Sequence, residues 1–408
     1  MKIPSSSFPV PTTLDGRKPH IDIMQVLDRS IPRYVGEFWT SKQRQTSSLH
    51  EISYRACFKA QLPAFFMNAL TSEGDSVYDP FSGRGTTVIE AALLGRRPVS
   101  NDINPLSRTL CEPRLQPPAL VDIASRLDSL EMSGTARADI DLSMFYHKKT
   151  EAEIVSLQKY LRTKKESGDE DSLDGWIRMV ATNRLSGHSK GFFSVYTLPP
   201  NQAITAERQK EINKRLRQKP EYRDTRQIIL RKSKSLLRNL TEVQQGKLRL
   251  AGRHARFLST DARRTRKIPD QSIALTVTSP PFLNIVDYDR DNWLRCWFNG
   301  IDAATISRNM TMATTVDQWS EVMREVFTEL FRVTATGGWV AFEVGELRNG
   351  RIRLDELVVP LGISAGFYCA GVLINAQRFT KTSNIWGVTN NSSGTNTNRI
   401  VLFHKNGR

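Results

Sequence analysis

The sequence of 408 residues predicts an α/β fold: one seven-stranded, mostly parallel sheet interrupted by a helical, basic insertion. Three observations predict it. Short apolar runs alternate with helical patterns on both sides of the middle of the chain. Two loops rich in Gly or Pro directly follow such runs. The segment between these loops departs from the alternation and carries most of the net charge of +16.

Seven runs are predicted as strands: SVYD (76–79), RPVSND (97–102), ARFLST (255–260), SIALTVTS (272–279), WVAFEV (339–344), GVLINAQRF (371–379) and RIVLFHK (399–405). TTVIEAALLG is predicted as a helix that Gly95 ends, and WSEVMREVFTELFRV as another helix. Strands linked by helices predict a single sheet with helices on both faces.

The same alternation divides the chain into four segments. We predict an N-terminal arm (1–50), the first part of the α/β domain (51–110), an inserted module (111–254) and the second part of the domain (255–408). The insertion contains helical stretches such as HKKTEAEIVSLQKYL, followed by a strongly basic segment. The chain therefore contains enough apolar sequence for a large core without disulfide or metal support.

The positive charge is concentrated in residues 207–256. This segment has sixteen Lys and Arg against five Asp and Glu, so it holds +11 of the net +16. Such a segment is typical of a protein that neutralises phosphates of a nucleic acid. A solvated helix face is the alternative for a charge run taken alone.

Other classes of protein are disfavoured by what the sequence lacks. No stretch approaches the roughly 18 apolar residues of a membrane span, and the N-terminus lacks the apolar run of a signal peptide, so we expect a cytoplasmic protein without a membrane partner. The four cysteines form no CxxC pair and the histidines do not cluster, so no metal is expected.

The first motif is Asp79-Pro80-Phe81-Ser82-Gly83-Arg84-Gly85-Thr86-Thr87, at a turn from strand to helix. Glycines allow the backbone to approach a ligand, and the helix N-terminus offers N–H donors to an anionic group. Asp102 ends the next strand, where a carboxylate can accept hydrogen bonds from ribose hydroxyls. Together these features indicate an adenosine-containing cofactor. Val88 breaks the dinucleotide fingerprint and no P-loop is present, so S-adenosylmethionine is the candidate.

The second motif is Thr278-Ser279-Pro280-Pro281-Phe282, directly after a buried strand. Two prolines make a rigid corner that presents a hydroxyl, two carbonyls and an aromatic ring. This combination suits a flat ring with an exocyclic amine, because the ring stacks and the amine donates to oxygen. Alone, Ser-Pro-Pro is usually a loop; beside the first motif it indicates a catalytic corner.

These motifs resemble those of the S-adenosylmethionine-dependent DNA amino-methyltransferases. DPFSGRGTT is similar to the family's cofactor loop, Asp102 to the acid after its second strand, and TSPPF to its catalytic tetrapeptide. Asp261 resembles the residue that contacts adenine, and Lys59 and Pro63 lie in a stretch similar to an additional cofactor-side motif. The resemblance implies the Rossmann-like sheet of class I methyltransferases, with the insertion as the target-recognition module.

The resemblance further implies the reaction. Ser at the first position of the tetrapeptide is associated in the family with methylation of the N4 amine of cytosine. Its catalytic residues here would be Ser279, Pro280, Pro281 and Phe282, with Phe282 stacking on a base flipped out of double-stranded DNA. Cofactor-binding residues would be Lys59, Pro63, Asp79, Pro80, Phe81, Gly83, Gly85, Thr86, Thr87, Asp102 and Asp261.

Chemistry supports the amine as the target. Attack by an amine on the sulfonium methyl needs no enzyme nucleophile. Methylation of cytosine at carbon 5 needs a Cys after a Pro, and none of the four cysteines follows a Pro. A cognate restriction endonuclease is a candidate partner.

Several alternatives stay open. The target could be the N6 amine of adenine or an RNA base, and a catalytically silent nucleic-acid-binding protein would keep the same fold. Sequence recognition is predicted in the insertion, where Gly191–Tyr196 forms an aromatic-polar loop; a core role for its aromatics is equally compatible with the sequence. Trp293 and Trp297 follow the catalytic corner, and helix packing is the preferred interpretation of both.

Overall fold

The computed structural model describes residues 8, 10, 12–39, 47–54, 57–197, 204–281, 288–302, 305–306, 313, 315–347, 352–376 and 397–407. Its strands are β1 (His20–Val26), β2 (Arg29–Gly36), β3 (Ser76–Asp79), β4 (Arg97–Asn101), β5 (Arg256–Leu258), β6 (Ile273–Thr278), β7 (Thr334–Val344), β8 (Glu346–Leu347), β9 (Ile352–Arg353), β10 (Tyr368–Ala376) and β11 (Thr397–His404).

The helices are α1 (Gln61–Leu70), α2 (Thr86–Leu93), α3 (Leu106–Cys111), α4 (Leu120–Ser129), α5 (Lys148–Ser167), α6 (Ser172–Arg184), α7 (Ala206–Leu216), α8 (Thr225–Leu237), α9 (Glu242–His254), α10 (Tyr288–Asn299), α11 (Val316–Val333) and α12 (Leu354–Ser364). Gly95, with φ of +76°, follows α2 as the sequence predicts.

Nine strands form the main sheet of the described chain, in the order β1-β2-β10-β11-β7-β6-β3-β4-β5. Strands β3 to β7 are mutually parallel, β11 is antiparallel to both β7 and β10, and β2 is parallel to β10. β8 and β9 form a separate small sheet. The α/β fold is confirmed, and its main sheet is mixed.

The predicted count of seven strands is wrong. Each of the seven predicted runs contains a strand, although β5 covers only half of ARFLST. The two additional strands of the main sheet are β1 and β2, from the segment predicted as an N-terminal arm. They form an antiparallel hairpin whose turn places Leu27 and Asp28 at φ of +47° and +58°. Turns with two positive φ values usually have Asn-Gly or Asp-Gly, so this hairpin has no recognisable turn signal in the sequence.

The sheet has helices on both faces because its strands alternate apolar side chains between them. Along β7, Val340 and Phe342 pack with α11 and α12, and the rings of Phe342 and Phe327 lie 4.8 Å apart. Trp339 and Ala341 point to the opposite face, where α1 packs.

Helices α4 to α9 occupy the insertion, and they share one apolar core with the sheet domain. That core joins Ile89 of α2 and Leu110 of α3 to Trp176, Ile229 and Leu248 of the insertion. The insertion thus rests on the same helices that follow the glycine turn. The boundaries of the four segments stay a prediction.

Candidate functional site

The glycine turn begins at the carboxyl end of β3. Asp79 is buried, and its Oδ1 accepts a hydrogen bond of 3.1 Å from the backbone N–H of Phe81. Ser82 Oγ donates to the Asp79 carbonyl at 2.8 Å. Hydrogen bonds to Asp79 therefore stabilise the turn, as is common for an Asp at the first position of a turn.

Two glycines shape the rest of the turn. Gly83 and Gly85 have φ of +50° and +77°, which favours glycine, and Gly85 is the N-cap of α2. A Cβ on Gly85 would lie 2.1 Å from Cys111 Sγ. The N–H of Gly83 donates to Oδ2 of Asp102 at 2.8 Å. The predicted turn and the predicted acid are thus in direct contact.

Asn101 joins three strand ends. Its Nδ2 donates to the carbonyls of Pro80, at 3.2 Å, and Thr260, at 2.9 Å. Its Oδ1 accepts from the N–H of Thr260 at 3.1 Å. Asn101 therefore holds the loops after β3 and β5 together, a role for which the sequence has no signal beyond the position of Asn101 beside Asp102.

Asp261, predicted to contact adenine, lies on the loop after β5. Its carboxylate forms an ion pair of 2.6 Å with Arg263 Nη2. Partial burial works to raise the pKa of Asp261, but the hydrogen bonds from Arg263 outweigh it, and the pKa lies below its usual value. Asp261 is on the same sheet edge as Asp79 and Asp102, and its own carboxylate is already paired with Arg263.

The proline corner follows β6. Ser279 and Pro281 are half-buried, and Pro280 is buried. The carbonyl of Pro281 accepts a hydrogen bond of 3.1 Å from Trp319 Nε1, which fixes the corner against α11. Phe282 lies outside the described residues.

Hydrogen bonds between side chains and strand ends hold the two motifs together. Thr278 Oγ1, directly before the corner, donates to Asp79 Oδ1 at 2.7 Å. On the other side of the turn, Thr87 Oγ1 donates to the carbonyl of Val277 at 3.1 Å. The turn and the corner lie side by side at the carboxyl edge of the sheet, where ligands bind in open α/β sheets.

Glu343, near the end of β7, is a site residue that sequence reasoning missed. Its buried carboxylate accepts hydrogen bonds from the side chains of Ser279 and, at 2.7 Å, Asn398. Burial raises its pKa above the usual value, against the opposing effect of these two bonds. An acid inside the apolar run WVAFEV was the available signal, because buried acids usually have partners.

Burial also perturbs the two carboxyls of the turn. It raises the pKa of Asp79 to about 7, although hydrogen bonds from Thr278 and Phe81 oppose the shift. It raises the pKa of Asp102 to about 6, opposed by the N–H groups of Asn104 and Gly83. Within the described chain, no Lys or Arg forms an ion pair with Asp79 or Asp102. A cationic or hydrogen-bonding ligand would therefore stabilise the charged form of both carboxyls.

Lys59 and Pro63 lie at the start of α1, which packs against α2 and β6. Pro63 is in the first turn, where it interrupts no helical hydrogen bond. Burial lowers the pKa of the Lys59 ammonium. Their place in the site stays a prediction.

The basic segment covers α7 to α9. Some of its cations are exposed, and others donate hydrogen bonds to the protein. Lys214, Arg215 and Arg217 are exposed at the end of α7. Arg223, in contrast, donates to the carbonyls of Ser189, at 3.0 Å, and Phe192, at 2.9 Å, inside the protein. Part of the charge run is therefore structural and part faces solvent.

The aromatic-polar loop is pinned by Arg223. Phe192, Phe193 and Val195 are buried, so for these side chains the core interpretation holds. Ser189, Lys190 and Gly191 at its tip are exposed. Trp293 and Trp297 pack against the core and donate to Ile204 and Asp139, which agrees with the preferred packing role.

Comparison with known proteins finds similar DNA methylases. Residues 20–109 match the family described as DNA methylase. The type II methyltransferase M.BsoBI from Geobacillus stearothermophilus is 23% identical over 340 residues, which are 77% of this chain and 64% of the relative. The resemblance to the DNA amino-methyltransferases is confirmed. The chain spans less than two thirds of the length of M.BsoBI.

A second methyltransferase relative matches a shorter stretch. M.MjaII from Methanocaldococcus jannaschii, also type II, is 32% identical over 77 residues, 19% of this chain and 14% of that protein. The DNA methylase match contains the glycine turn and Asp102, whereas the proline corner lies beyond it.

Solved structures match this chain at low similarity only. A candidate DNA modification methylase from Thermus thermophilus is 22% identical, with a TM-score of 0.24 over 36% of this chain and 52% of that chain. Geranyl diphosphate C-methyltransferase from Streptomyces coelicolor A3(2) is 7% identical, with a TM-score of 0.35 over 85% and 77% of the two chains.

Two features are absent from the described residues. No helix there is long and apolar enough to cross a membrane. No group of three or more His, Cys, Asp or Glu there is arranged to hold a metal ion.

Proposed function

We propose that the protein transfers a methyl group from S-adenosylmethionine to the exocyclic N4 amine of cytosine in double-stranded DNA. The observation that carries the proposal is the 2.7 Å hydrogen bond between Thr278 and Asp79, which puts the turn and the proline corner at one sheet edge. A methyl donor held by the turn would lie beside a base held by the corner.

The turn suits the methyl donor. S-adenosylmethionine supplies an activated methyl group on a sulfonium, and it also carries an ammonium, a carboxylate and a ribose. Asp79 would accept a hydrogen bond from the ammonium. Its carboxylate is buried, and no Lys or Arg of the described chain forms an ion pair with it. Asp102 would accept from the ribose hydroxyls. Gly83 and Gly85 would shape the turn that leads into α2, and the first N–H groups of α2, from Thr86 and Thr87, would donate to the carboxylate.

The corner suits an amine. The Ser279 hydroxyl donates a hydrogen bond to Glu343, so the lone pairs of Oγ could accept a hydrogen bond from the N4 amine. The Pro280 carbonyl would accept the second amine proton, and both bonds would turn the nitrogen lone pair toward the methyl group. Phe282 would stack on the base, which must leave the duplex to reach the corner.

Three further assignments belong to the proposal. Pro80, Phe81 and Asp261 would border the adenosine, and Lys59 and Pro63 would border the turn from α1. The insertion would recognise the DNA sequence. M.BsoBI and M.MjaII are type II methyltransferases by name, which supports a restriction-modification setting with a cognate endonuclease in the cytoplasm.

The test is a direct analysis of the product. Plasmid DNA is treated with the purified full chain and S-adenosylmethionine, digested to nucleosides and measured by mass spectrometry. We expect N4-methylcytosine, and no methylation with Phe282→Ala at equal cofactor binding. Methylation confined to adenine would overturn the cytosine assignment, and absence of any methylated base would overturn the activity.

The N6 amine of adenine is the second candidate target. The hydroxyl and carbonyl acceptors of Ser279 and Pro280 suit either amine. An RNA base is a third candidate. The same mass spectrometry on RNA treated in parallel separates these targets.

A further inference from the structure

One arginine holds the loop 187–197 of the insertion from below. Arg223 Nη1 donates hydrogen bonds to the carbonyls of Ser189, at 3.0 Å, and Phe192, at 2.9 Å, and also to the carbonyl of Ser194. Hydrogen bonds from a charged donor are stronger than those between neutral groups. Three of them to one loop therefore fix the backbone of that loop.

The base of this loop lies beside the candidate site. The loop follows helix α6, in which Asn183 exchanges two hydrogen bonds with the backbone of Ser53. Asn183 Nδ2 donates to the carbonyl of Ser53 at 2.9 Å, and Asn183 Oδ1 accepts from its N–H at 3.2 Å. The next residue, Tyr54, packs against the glycine turn, since a Cβ on Gly83 would lie 3.4 Å from the Tyr54 ring. A short chain of contacts thus joins the loop to the turn.

The tip of the loop presents donors to solvent. Ser189, Lys190 and Gly191 are exposed. The carbonyl of Ser189 points to Arg223, and the C=O and N–H of a trans peptide point in opposite directions, so the N–H of Lys190 points away from Arg223. Neither this N–H nor Lys190 Nζ has a hydrogen-bond partner among the described residues. Two free donors of one residue suit an oxyanion.

Two other segments of the insertion meet the loop. The N–H of Arg223 donates to Thr150 Oγ1 at 2.8 Å, which brings the start of α5 next to the loop. Gln218, after α7, donates to the carbonyl of Tyr196 at 2.9 Å. The exposed cations of residues 147–150, 187–197 and 217–224 form a cationic face, which consists of Lys148, Lys149, Lys190, Arg217 and Lys219.

Acids do not cancel the charge of the cationic face. Its five members form no ion pair within the described chain. Lys149 Nζ lies 4.3 Å from the ring centre of Tyr222. Nearby, Glu153 is buried and accepts from the Tyr222 hydroxyl at 2.9 Å, whereas Glu221 is exposed. In the three segments, five exposed cations therefore stand against the exposed Glu221.

We propose that the cationic face binds the phosphate backbone of duplex DNA beside the candidate site, with Lys149 and Lys190 each contacting one phosphate and Arg223 positioning the loop. The excess of cations identifies a polyanion as the partner. That this polyanion is DNA rests on the proposed function. Lys148, Lys149 and Lys190 lie outside residues 207–256, where the sequence concentrates its charge, and the fold brings them to that segment.

DNA binding tests the cationic face. The affinity of the full chain for a labelled duplex is measured by fluorescence anisotropy at several concentrations of sodium chloride. We expect the slope of log affinity against log salt to decrease in magnitude by about one in Lys190→Gln and by about two in the double variant Lys149→Gln, Lys190→Gln.

The matched control lies on the same helix as Lys149. Lys165 is exposed near the other end of α5, roughly 24 Å away at the rise of an α-helix, and Lys165→Gln should keep the wild-type slope. A wild-type slope in the double variant would overturn the proposal. An equal decrease in Lys165→Gln and Lys190→Gln would also overturn it, because the effect would then follow total charge and not this face.

A double-mutant cycle tests the positioning role of Arg223. When Arg223 holds the loop for Lys190, loss of the Lys190 side chain matters only while Arg223 is present. Lys190→Gln should therefore decrease the slope by about one in the wild type and hardly at all in Arg223→Gln. Equal decreases in both backgrounds would overturn the positioning role. Lys190→Gln alone tests the phosphate contact, whatever the stability of Arg223→Gln.

Failure of the cationic face and failure of the proposed function give different results. Methylated cytosine together with a wild-type slope in the double variant would refute the face and spare the function. Slopes that decrease as expected, with no methylated base, would support the face and refute the function.

Discussion

Buried carboxylates determine which ligands the candidate site can bind. Asp79, Asp102 and Glu343 lie at the carboxyl ends of β3, β4 and β7, and burial raises the pKa of each. A raised pKa means that the charged form is unfavourable until a ligand or a donor stabilises it. Cofactor binding and turnover should therefore depend on the protonation of these carboxyls.

Cofactor binding should depend on pH through Asp79. Its pKa in the folded chain, about 7, exceeds 3.8, so the folded state binds more protons and stability of the free chain should fall as pH rises between these values. An ammonium binds Asp79 favourably only when the carboxyl is ionised. The affinity for S-adenosylmethionine should therefore increase as pH rises toward about 7, by up to tenfold per pH unit. Calorimetric titration from pH 5.5 to 8 measures this, and Asp79→Asn should flatten the dependence.

Glu343 should act on turnover through Ser279. Glu343→Gln removes the ionised acceptor of the Ser279 hydroxyl, so we expect turnover to fall roughly 10- to 100-fold, the range for a hydrogen bond to a charged group. Cofactor affinity should stay near the wild-type value. The acid limb of the wild-type pH–rate profile should lie above the ordinary Glu range, because activity is lost as pH falls through the raised pKa, and Glu343→Gln should lack this limb.

The matched control for Glu343 is Glu321→Gln, an exposed acid on α11. It should leave turnover and its pH profile unchanged. An unchanged pH profile in Glu343→Gln would show that the acid is structural.

Among the elements, the turn before α2 has the narrowest requirements. Gly85 combines a positive φ with contact to α3, so its conformation and the space around it both exclude a side chain. Helix α2 in turn supports the insertion through a shared core. One residue at the start of α2 therefore affects both the site and the packing of the insertion.

Gly85→Ala should destabilise the protein by about 1–3 kcal/mol, from backbone strain and from the approach of Cβ to Cys111. Gly246→Ala is the matched control: Gly246 lies inside α9 with open space around it, so alanine there should stabilise by about 0.5–1 kcal/mol. Urea unfolding measures both changes. Equal effects of the two substitutions would contradict the tight packing at Gly85.

For the whole molecule, net charge and its placement govern association with a polyanion. The exposed cations of α7 and α8 belong to the insertion, while the buried Arg184 and Arg295 lie where the insertion meets the sheet domain. The sequence shows the total charge, and the fold separates exposed from internal cations.

Substituting Lys214, Arg215, Arg217 and Arg231 together with Gln should flatten the salt dependence of DNA binding by about one log-log unit for each phosphate that the variant no longer neutralises. The control pair Arg266→Gln and Lys267→Gln, exposed near the amino end of β6, should leave the slope unchanged. Fluorescence anisotropy on a labelled duplex measures the slope. A wild-type slope in the fourfold variant would show that these side chains face solvent only.

The sequence by itself determined the seven central strands, the glycine turn, the proline corner and the acids Asp79 and Asp102, because local periodicity and turn residues encode such features. Only the tertiary structure decided that the hairpin of β1 and β2 joins the sheet, that Glu343 contacts Ser279, and that Arg223 holds the loop at Phe192. These contacts join residues far apart in the chain. Their energies come from burial and from neighbouring charges, which exist only once the chain has folded.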